Sequence, residues 1–421
     1  MQRRELLKKS ACAATLLGLP LSNESTAQQP FPSETLFRQD PDAYWMKIRQ
    51  DQFLLPDWRV FLNSGGLGVA PKPVLHAIDH HLNLAATLVG DDLLYWGGPA
   101  HEDIRQELAA FFGCRLQELA LTHNTTEGMN IVANGLDLKA GDEVLMTDQE
   151  HAGGSCCWLQ KRTRFGVVVR QVKIPLPAKN SEEVADRLVS AIGPRTRVLS
   201  FSGITSPTGL VLPVRSICDA ARAKGIITLV DAAHMPGQLA MNFHDLGCDF
   251  LACSPHKWML TTSGCGLFYG REEMLERLWV NVAAAGWDQK EAKAARFQSV
   301  GTNNLAIIHG MIAALRFLQQ LGPGRVYRRI HDLAREVFER ARTVDTLEAL
   351  TPDDDRMFAG MVTFRIKSGS APRFWELCKR RRIWLLPGQA ILGDRIRVST
   401  HIHTRKSDLD LLFQTLQEGL S

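Results

Sequence analysis

Short apolar runs recur along this chain at 119–122, 143–147, 166–174, 198–204, 227–230 and 250–252, each bounded by turn-forming residues and each the length of a buried strand. Between them, residues 126–134, 181–192 and 214–223 carry apolar side chains at helical spacing. Apolar strands alternating with helices predict an α/β unit whose sheet is mainly parallel and covered by helices on both faces. The pattern changes after residue 303. Long helical periods at 305–321 and 325–344 are followed by a strand at 361–366, a helix at 372–381, a strand at 394–399 and a last helix from Ser407. The organisation expected is a lead segment over 28–60, a large α/β domain over 61–303 and a smaller C-terminal α+β domain over 304–421. Val60-Phe61-Leu62 reads as a short extended run ending at Asn63-Ser64-Gly65-Gly66.

The first 27 residues fall outside this pattern. Arg3-Arg4-Glu5-Leu6-Leu7-Lys8-Lys9 is a basic opening, residues 11–21 are a short apolar run, and Ser25-Thr26-Ala27 has the small-x-Ala form of a signal-peptidase site. The segment resembles a twin-arginine signal peptide, which implies export by the twin-arginine translocation machinery to the periplasm and a mature chain beginning near Gln28. An amphipathic N-terminal helix on a cytosolic protein is the rival reading. Removing residues 1–27 takes four basic and two acidic side chains from a formal charge of +4, leaving +2. So small a charge makes no electrostatic case for nucleic acid. At 421 residues and 45% hydrophobic the chain can bury a sizeable core, yet no run reaches the roughly 20 apolar residues of a membrane span. Nine cysteines form no C-x-x-C pair and no Cys/His cluster of zinc spacing, so no metal is expected.

Candidate chemistry gathers at strand ends. In Ser254-Pro255-His256-Lys257-Trp258, directly after the run at 250–252, a desolvated lysine would have a lowered pKa and become a nucleophile toward an aldehyde. An ordinary loop lysine is the alternative. Val230-Asp231-Ala232-Ala233-His234 places a carboxylate at another strand end, where burial demands a partner such as a protonated ring nitrogen. A helix N-cap would explain Asp231 equally well. His123-Asn124-Thr125-Thr126-Glu127-Gly128 lies between a strand and a helix, where backbone N–H groups and hydroxyls suit a phosphate or simply cap the helix.

Together with Leu62-Asn63-Ser64-Gly65-Gly66, Glu150-His151-Ala152, Gly301-Thr302 and Arg397-Val398-Ser399, these motifs resemble, from about Phe61 to the C-terminus, the class V aminotransferases. Within that family the likeness is to the isopenicillin N epimerase-like branch. The resemblance implies fold type I, pyridoxal 5'-phosphate as cofactor, and an enzyme acting at the α-carbon of a small amino-acid or amino-acyl substrate by transamination, epimerisation, decarboxylation or elimination. It makes Lys257 the Schiff-base lysine and proton carrier, puts Asp231 on the pyridine nitrogen and His234 near the phenolic oxygen, and stacks His151 on the ring. Thr125, Thr126, Ser254 and His256 become the phosphate cradle. Thr302 would reach the phosphate of a neighbouring subunit, implying a homodimer with shared active sites. Arg397 would clamp the substrate carboxylate bidentately, with Arg395 as a rival two residues away on the strand, and Asn63 would line the substrate mouth.

Departures from the family narrow the reading. The stretch 387–394 holds no cysteine where cysteine desulfurases carry their nucleophile, and Cys378 falls in an expected helix, which disfavours a desulfurase or selenocysteine lyase. Export combined with this family resembles the periplasmic enzymes that tailor a glutamyl group during pyoverdine siderophore maturation. A periplasmic binding protein that keeps the fold without turnover is the third possibility.

Overall fold

The computed structural model describes residues 30–89, 99–386 and 393–420, so the expected signal peptide and residues 387–392 lie outside the described residues. Packing divides the chain into a unit ending at Asp51 and a second running from Gln52. The first contains helix Glu34–Gln39 and all but the last residue of helix Pro41–Gln52; Ser33 caps the former by accepting from the Leu36 N–H at 3.1 Å, and Phe37 meets Tyr44 edge-on.

The second unit is built on a seven-stranded sheet in the order β2-β8-β7-β6-β5-β3-β4. The strands are β2 (Leu119–Thr122), β3 (Glu143–Thr147), β4 (Val168–Val172), β5 (Thr196–Ser202), β6 (Ile227–Asp231), β7 (Phe250–Cys253) and β8 (Gly266–Gly270). Only β8 runs against the other six, as the antiparallel pairs β7/β8 and β2/β8 show. Six of the seven strands, all but β4, are buried along their whole length or nearly so because helices cover both faces, and the five of them other than β8 read as continuous apolar runs rather than alternating ones for that reason. The α/β expectation therefore holds, with β8 and the helix Ala152–Phe165 as additions that the apolar pattern does not mark.

A second, three-stranded antiparallel sheet has the order β12-β10-β9, from Arg395–Ser399, Met361–Ile366 and Leu347–Ala349. The short strand β1 (Val60–Phe61) pairs in parallel with β11 (Ile383–Trp384), and Asn63 bridges Ser399. Val60 and Leu62 pack in one apolar core with Phe364, Val398 and Phe413, so the extended run before Asn63 belongs by packing with the C-terminal elements. That placement carries Asn63 to the end of β12, beside Arg397.

The helix Leu305–Leu321 turns through 84° at Gly322 into Pro323–Arg342. Among the described residues no single helix is long and apolar enough to cross a membrane, and no group of His, Cys, Asp or Glu could hold a metal ion.

The helix Thr125–Gly135 approaches β7 closely because residue 128 is glycine: a Cβ there would stand 2.5 Å from the Ala252 Cβ. Gly128→Ala should therefore overpack this contact and cost about 1–3 kcal/mol, a loss measurable as a lower urea midpoint in the cofactor-free protein. An unchanged midpoint would show that the helix shifts freely.

Candidate active site

The parallel strands end on one side of the sheet, and open sheets of this kind bind ligands beyond their carboxyl ends. The loops there bring Thr125, Thr126, His151, Asp231, Ser254, His256, Lys257 and Arg397 around one cavity, along with Gly65, Gly66, Ser206 and Leu386. Strand register explains the convergence. Asp231 ends β6 opposite Ser202 of β5 and Ala252 of β7, and Lys257 follows β7 by four residues.

Asp231 is buried, and Lys257 is half-buried on the cavity wall. Burial, with the Arg397 guanidinium adding to it, lowers the Lys257 ammonium to about 8, although Asp231 pulls the other way. Burial also pushes the Asp231 carboxyl up, opposed by an N–H bond from Ala233 at 3.0 Å and by the charges of Lys257 and His151. That Ala233 bond is the turn contact a capping role predicts. It leaves the rest of the carboxylate facing the cavity.

His234 lies behind Lys257. The Trp258 indole, which can only donate, bonds His234 Nδ1 at 3.2 Å, so Nδ1 is the acceptor and the neutral ring carries its proton on Nε2. Nε2 sits 3.1 Å from Lys257 Nζ. Burial, reinforced by the charges of Lys257 and Arg397, keeps His234 well below its ordinary pKa. A neutral imidazole donating to Nζ matches an amine in its neutral, nucleophilic form. The resemblance implies a place for His234 near the cofactor oxygen without signalling this bond to the lysine, and Trp258 carries no mark of its role.

At the start of helix Thr125–Gly135, Asn124 caps by accepting from the Glu127 N–H at 2.9 Å. Thr125 bonds Ser254 twice, N–H to Oγ at 3.0 Å and hydroxyl to hydroxyl at 2.7 Å. That hydroxyl pair uses one hydrogen and leaves the other for a ligand. His256 lines the same cavity with a buried Nδ1 that has no partner among the described residues. Helix Ala152–Phe165 comes in from another side, capped by His151 Nδ1, which accepts from the Gly153 N–H at 3.0 Å. A Cβ on Gly153 would lie 2.5 Å from Thr126 Oγ1, and one on Gly154 2.7 Å from Asp231 Oδ2. Both glycines are required for that helix to reach the cavity.

Arg397 is the arginine at the site. It is 2% exposed and donates to the Ser206 carbonyl at 2.7 Å, to Ser206 Oγ at 3.1 Å and to Asn63 Oδ1 at 3.1 Å. Those acceptors are neutral, and among the described residues no carboxylate pairs with it, so its charge awaits an anion. Arg395 stands opposite Arg365 in the β10/β12 ladder and does not line the cavity. Asn63 orients Arg397. Thr302 is exposed and does not line this cavity, while its neighbour Asn303 meets His123 Nε2 at 2.5 Å.

The residues present fit pyridoxal phosphate. A helix N-terminus with free hydroxyl capacity and the unpartnered His256 nitrogen suits the phosphate, a buried carboxylate suits the ring nitrogen, and a depressed lysine suits the aldehyde.

Comparison with known proteins agrees. The family described as Aminotransferase class-V matches residues 60–412. An isopenicillin N epimerase of Amycolatopsis lactamdurans is 33% identical over 375 residues, 85% of this chain and 94% of that one. A probable cysteine desulfurase of Halalkalibacterium halodurans is 26% identical over 390 residues, 85% of this chain and 92% of that one. Among solved structures, a C-DES mutant with glycine covalently linked to its PLP cofactor superposes with a TM-score of 0.74 at 25% identity, covering 86% of this chain and 97% of that one. With a lysine, a carboxylate and a helix N-terminus converging on one cavity, the chain belongs to the class V aminotransferase family and its cofactor is pyridoxal phosphate.

Proposed function

We propose that this chain is an exported enzyme that moves a proton at the α-carbon of an amino acid or amino-acyl group, with a glutamyl group of a siderophore precursor as the favoured substrate. The observation that carries the reading is a buried arginine without a carboxylate partner among the described residues, on the same cavity as a half-buried lysine lowered to about 8. Pyridoxal phosphate, when bound, supplies an electron sink that stabilises negative charge at the α-carbon.

Arg397 holds the substrate carboxylate through its planar fork, kept in place by Ser206 and Asn63. Lys257 Nζ takes and returns the α-proton, its neutral form favoured by burial and by the His234 Nε2–H. Asp231 keeps its negative charge toward the pyridine nitrogen. His151, lowered by burial and by Lys257, covers the ring as a neutral imidazole. Thr302 is assigned to the phosphate of a neighbouring subunit in a homodimer. Export rests on the leader sequence, with its paired arginines and small-x-Ala site.

A desulfurase reading is less well supported. No cysteine is among the described residues that line the cavity, none occurs in 387–394, and Cys378 is buried in the C-terminal core with its thiol pushed up to about 12.

The test is proton exchange at the α-carbon. The mature protein loaded with cofactor and incubated in D2O with L-glutamate or glutamyl peptides should remove the α-proton signal in proton NMR. A D-isomer, a 2-oxo acid or a decarboxylated amine among the products then names the reaction. Absence of exchange with every α-amino carboxylate tried, despite bound cofactor, would leave a binding protein instead.

A further inference from the structure

Lys257 takes a hydrogen bond from His234, and the donors behind His234 lead out of the lysine loop into the C-terminal elements. His401 stands two residues past β12 and is buried. Its Nδ1 accepts the Ile402 N–H at 2.8 Å, so the ring carries a single proton, on Nε2. Nε2 lies 3.1 Å from the Trp258 carbonyl, a group that can only accept. The Trp258 and His401 rings also stack, with centroids 5.8 Å apart and planes inclined by 21°.

Each bond in this chain has its direction set by a group that can act in one way only. The Ile402 N–H donates to His401, and His401 donates to the Trp258 carbonyl. The Trp258 indole donates to His234 Nδ1 at 3.2 Å, which leaves the His234 Nε2–H to donate to Lys257 Nζ at 3.1 Å. An ammonium has no lone pair to accept that last hydrogen. The chain therefore ends on an amine.

A second path reaches His234 from the neighbouring residue. The Thr400 N–H donates to the Gly360 carbonyl at 3.0 Å, the Gly360 N–H donates to Gln238 Oε1 at 2.8 Å, and Gln238 Nε2 donates to the His234 carbonyl. Gly360 also leaves room for the indole, since a Cβ there would stand 2.5 Å from Trp258 Cζ3. Thr400 and His401 thus hold the backbone and the imidazole of His234 by separate routes. His234, Gln238, Trp258 and His401 are all buried, and a buried network with its members paired is rigid.

We infer that His401 is a positioning residue: acting through Trp258, it holds His234 in the tautomer that donates to Lys257 and so keeps the lysine a hydrogen-bond acceptor. The inference rests on the reading of Lys257 as the group that attaches the cofactor. The charged and titratable groups that face the lysine are Asp231 at the end of β6, Arg397 on β12, His151 at the start of helix Ala152–Phe165, and His234 and His256 in the adjoining loops. Substitutions at 258 and 401 leave all of these in place, so a change in the lysine reports the hydrogen bond.

The first readout involves no turnover. In the cofactor-free chain labelled with 15N-histidine, the His234 signals, identified by their loss in His234→Asn, should show a proton on Nε2 and a bare Nδ1 from about pH 6 to 9. A proton on Nδ1 in the wild type overturns the inference without any variant. The second readout is the rate at which pyridoxal phosphate attaches, followed by absorbance. Trp258→Phe lacks the indole N–H and frees His234 to move its proton to Nδ1 and accept from an ammonium. Attachment at about pH 7 should then fall about fivefold, the contribution of one hydrogen bond, and the rate curve should move to higher pH. His401→Phe, which keeps a stacked ring without either nitrogen, should move both readouts the same way, and His401→Gln, whose amide can donate to the Trp258 carbonyl, should restore most of the loss. A purely structural His401 predicts a lower urea midpoint with wild-type His234 signals and a wild-type rate curve. That result, or a Trp258→Phe variant that changes neither readout, removes the positioning role. If the tautomer responds as expected while the cofactor attaches at another lysine, the hydrogen-bond chain stands and the assignment of Lys257 falls.

Discussion

Lys257→Ala should abolish covalent attachment of the cofactor and lower turnover about 10⁴-fold or more. Two losses combine: the nucleophile that anchors the cofactor and the group that moves the α-proton, the latter alone worth roughly 10²–10⁴-fold. The cofactor should still bind through the Thr125, Ser254 and His256 cradle, only without the visible absorption of the attached form. Borohydride reduction of the wild type followed by peptide mapping should leave the pyridoxyl label on Lys257. A label on another lysine would overturn the assignment. The pH dependence follows from the amine's position near 8. Only the neutral amine attacks, so the rate of cofactor attachment should climb as pH rises toward 8 and level off above it. An unperturbed lysine would keep climbing past pH 10.

Much of this site is visible in the sequence because of where the strands stop. The apolar runs at 227–230 and 250–252 are short and bounded, and so Asp231 and Lys257 stand out as charged residues just past buried strand ends. Other parts leave no such mark. Helix Ala152–Phe165 begins with Gly153 and Gly154, poor helix formers, and those are the residues that let it approach Thr126 and Asp231. Strand β8 is bounded by Gly266 and Gly270; a Cβ on Gly266 would lie 2.6 Å from Thr122 Oγ1, which hides the strand from a propensity-based reading. Long-range partners are invisible for a different reason. Asn63 and Arg397 meet across 334 residues, and β1 pairs with β11 through only two residue pairs. The choice between Arg395 and Arg397, open in the sequence, falls to which side chain lines the cavity.

Asp231→Asn should lower kcat/KM by about 10²–10⁴-fold while leaving the cofactor-free protein as stable as the wild type or more so. The two effects have separate origins. Asparagine matches aspartate in shape, so its side-chain oxygen keeps the Ala233 N–H bond and any capping contribution, since both residues cap well. What it removes is a buried charge that burial already disfavours. In the cofactor-free protein that removal is neutral or favourable. In the loaded enzyme it leaves the pyridine nitrogen without its anionic partner, and breaking one half of a buried ion pair costs about 3–5 kcal/mol, with each 1.36 kcal/mol a factor of ten in rate. A capping role predicts instead that both stability and turnover stay near wild type, because the cap survives. Urea unfolding of the cofactor-free variant beside its α-proton exchange rate when loaded separates the cases, and exchange within tenfold of wild type would remove Asp231 from the chemistry.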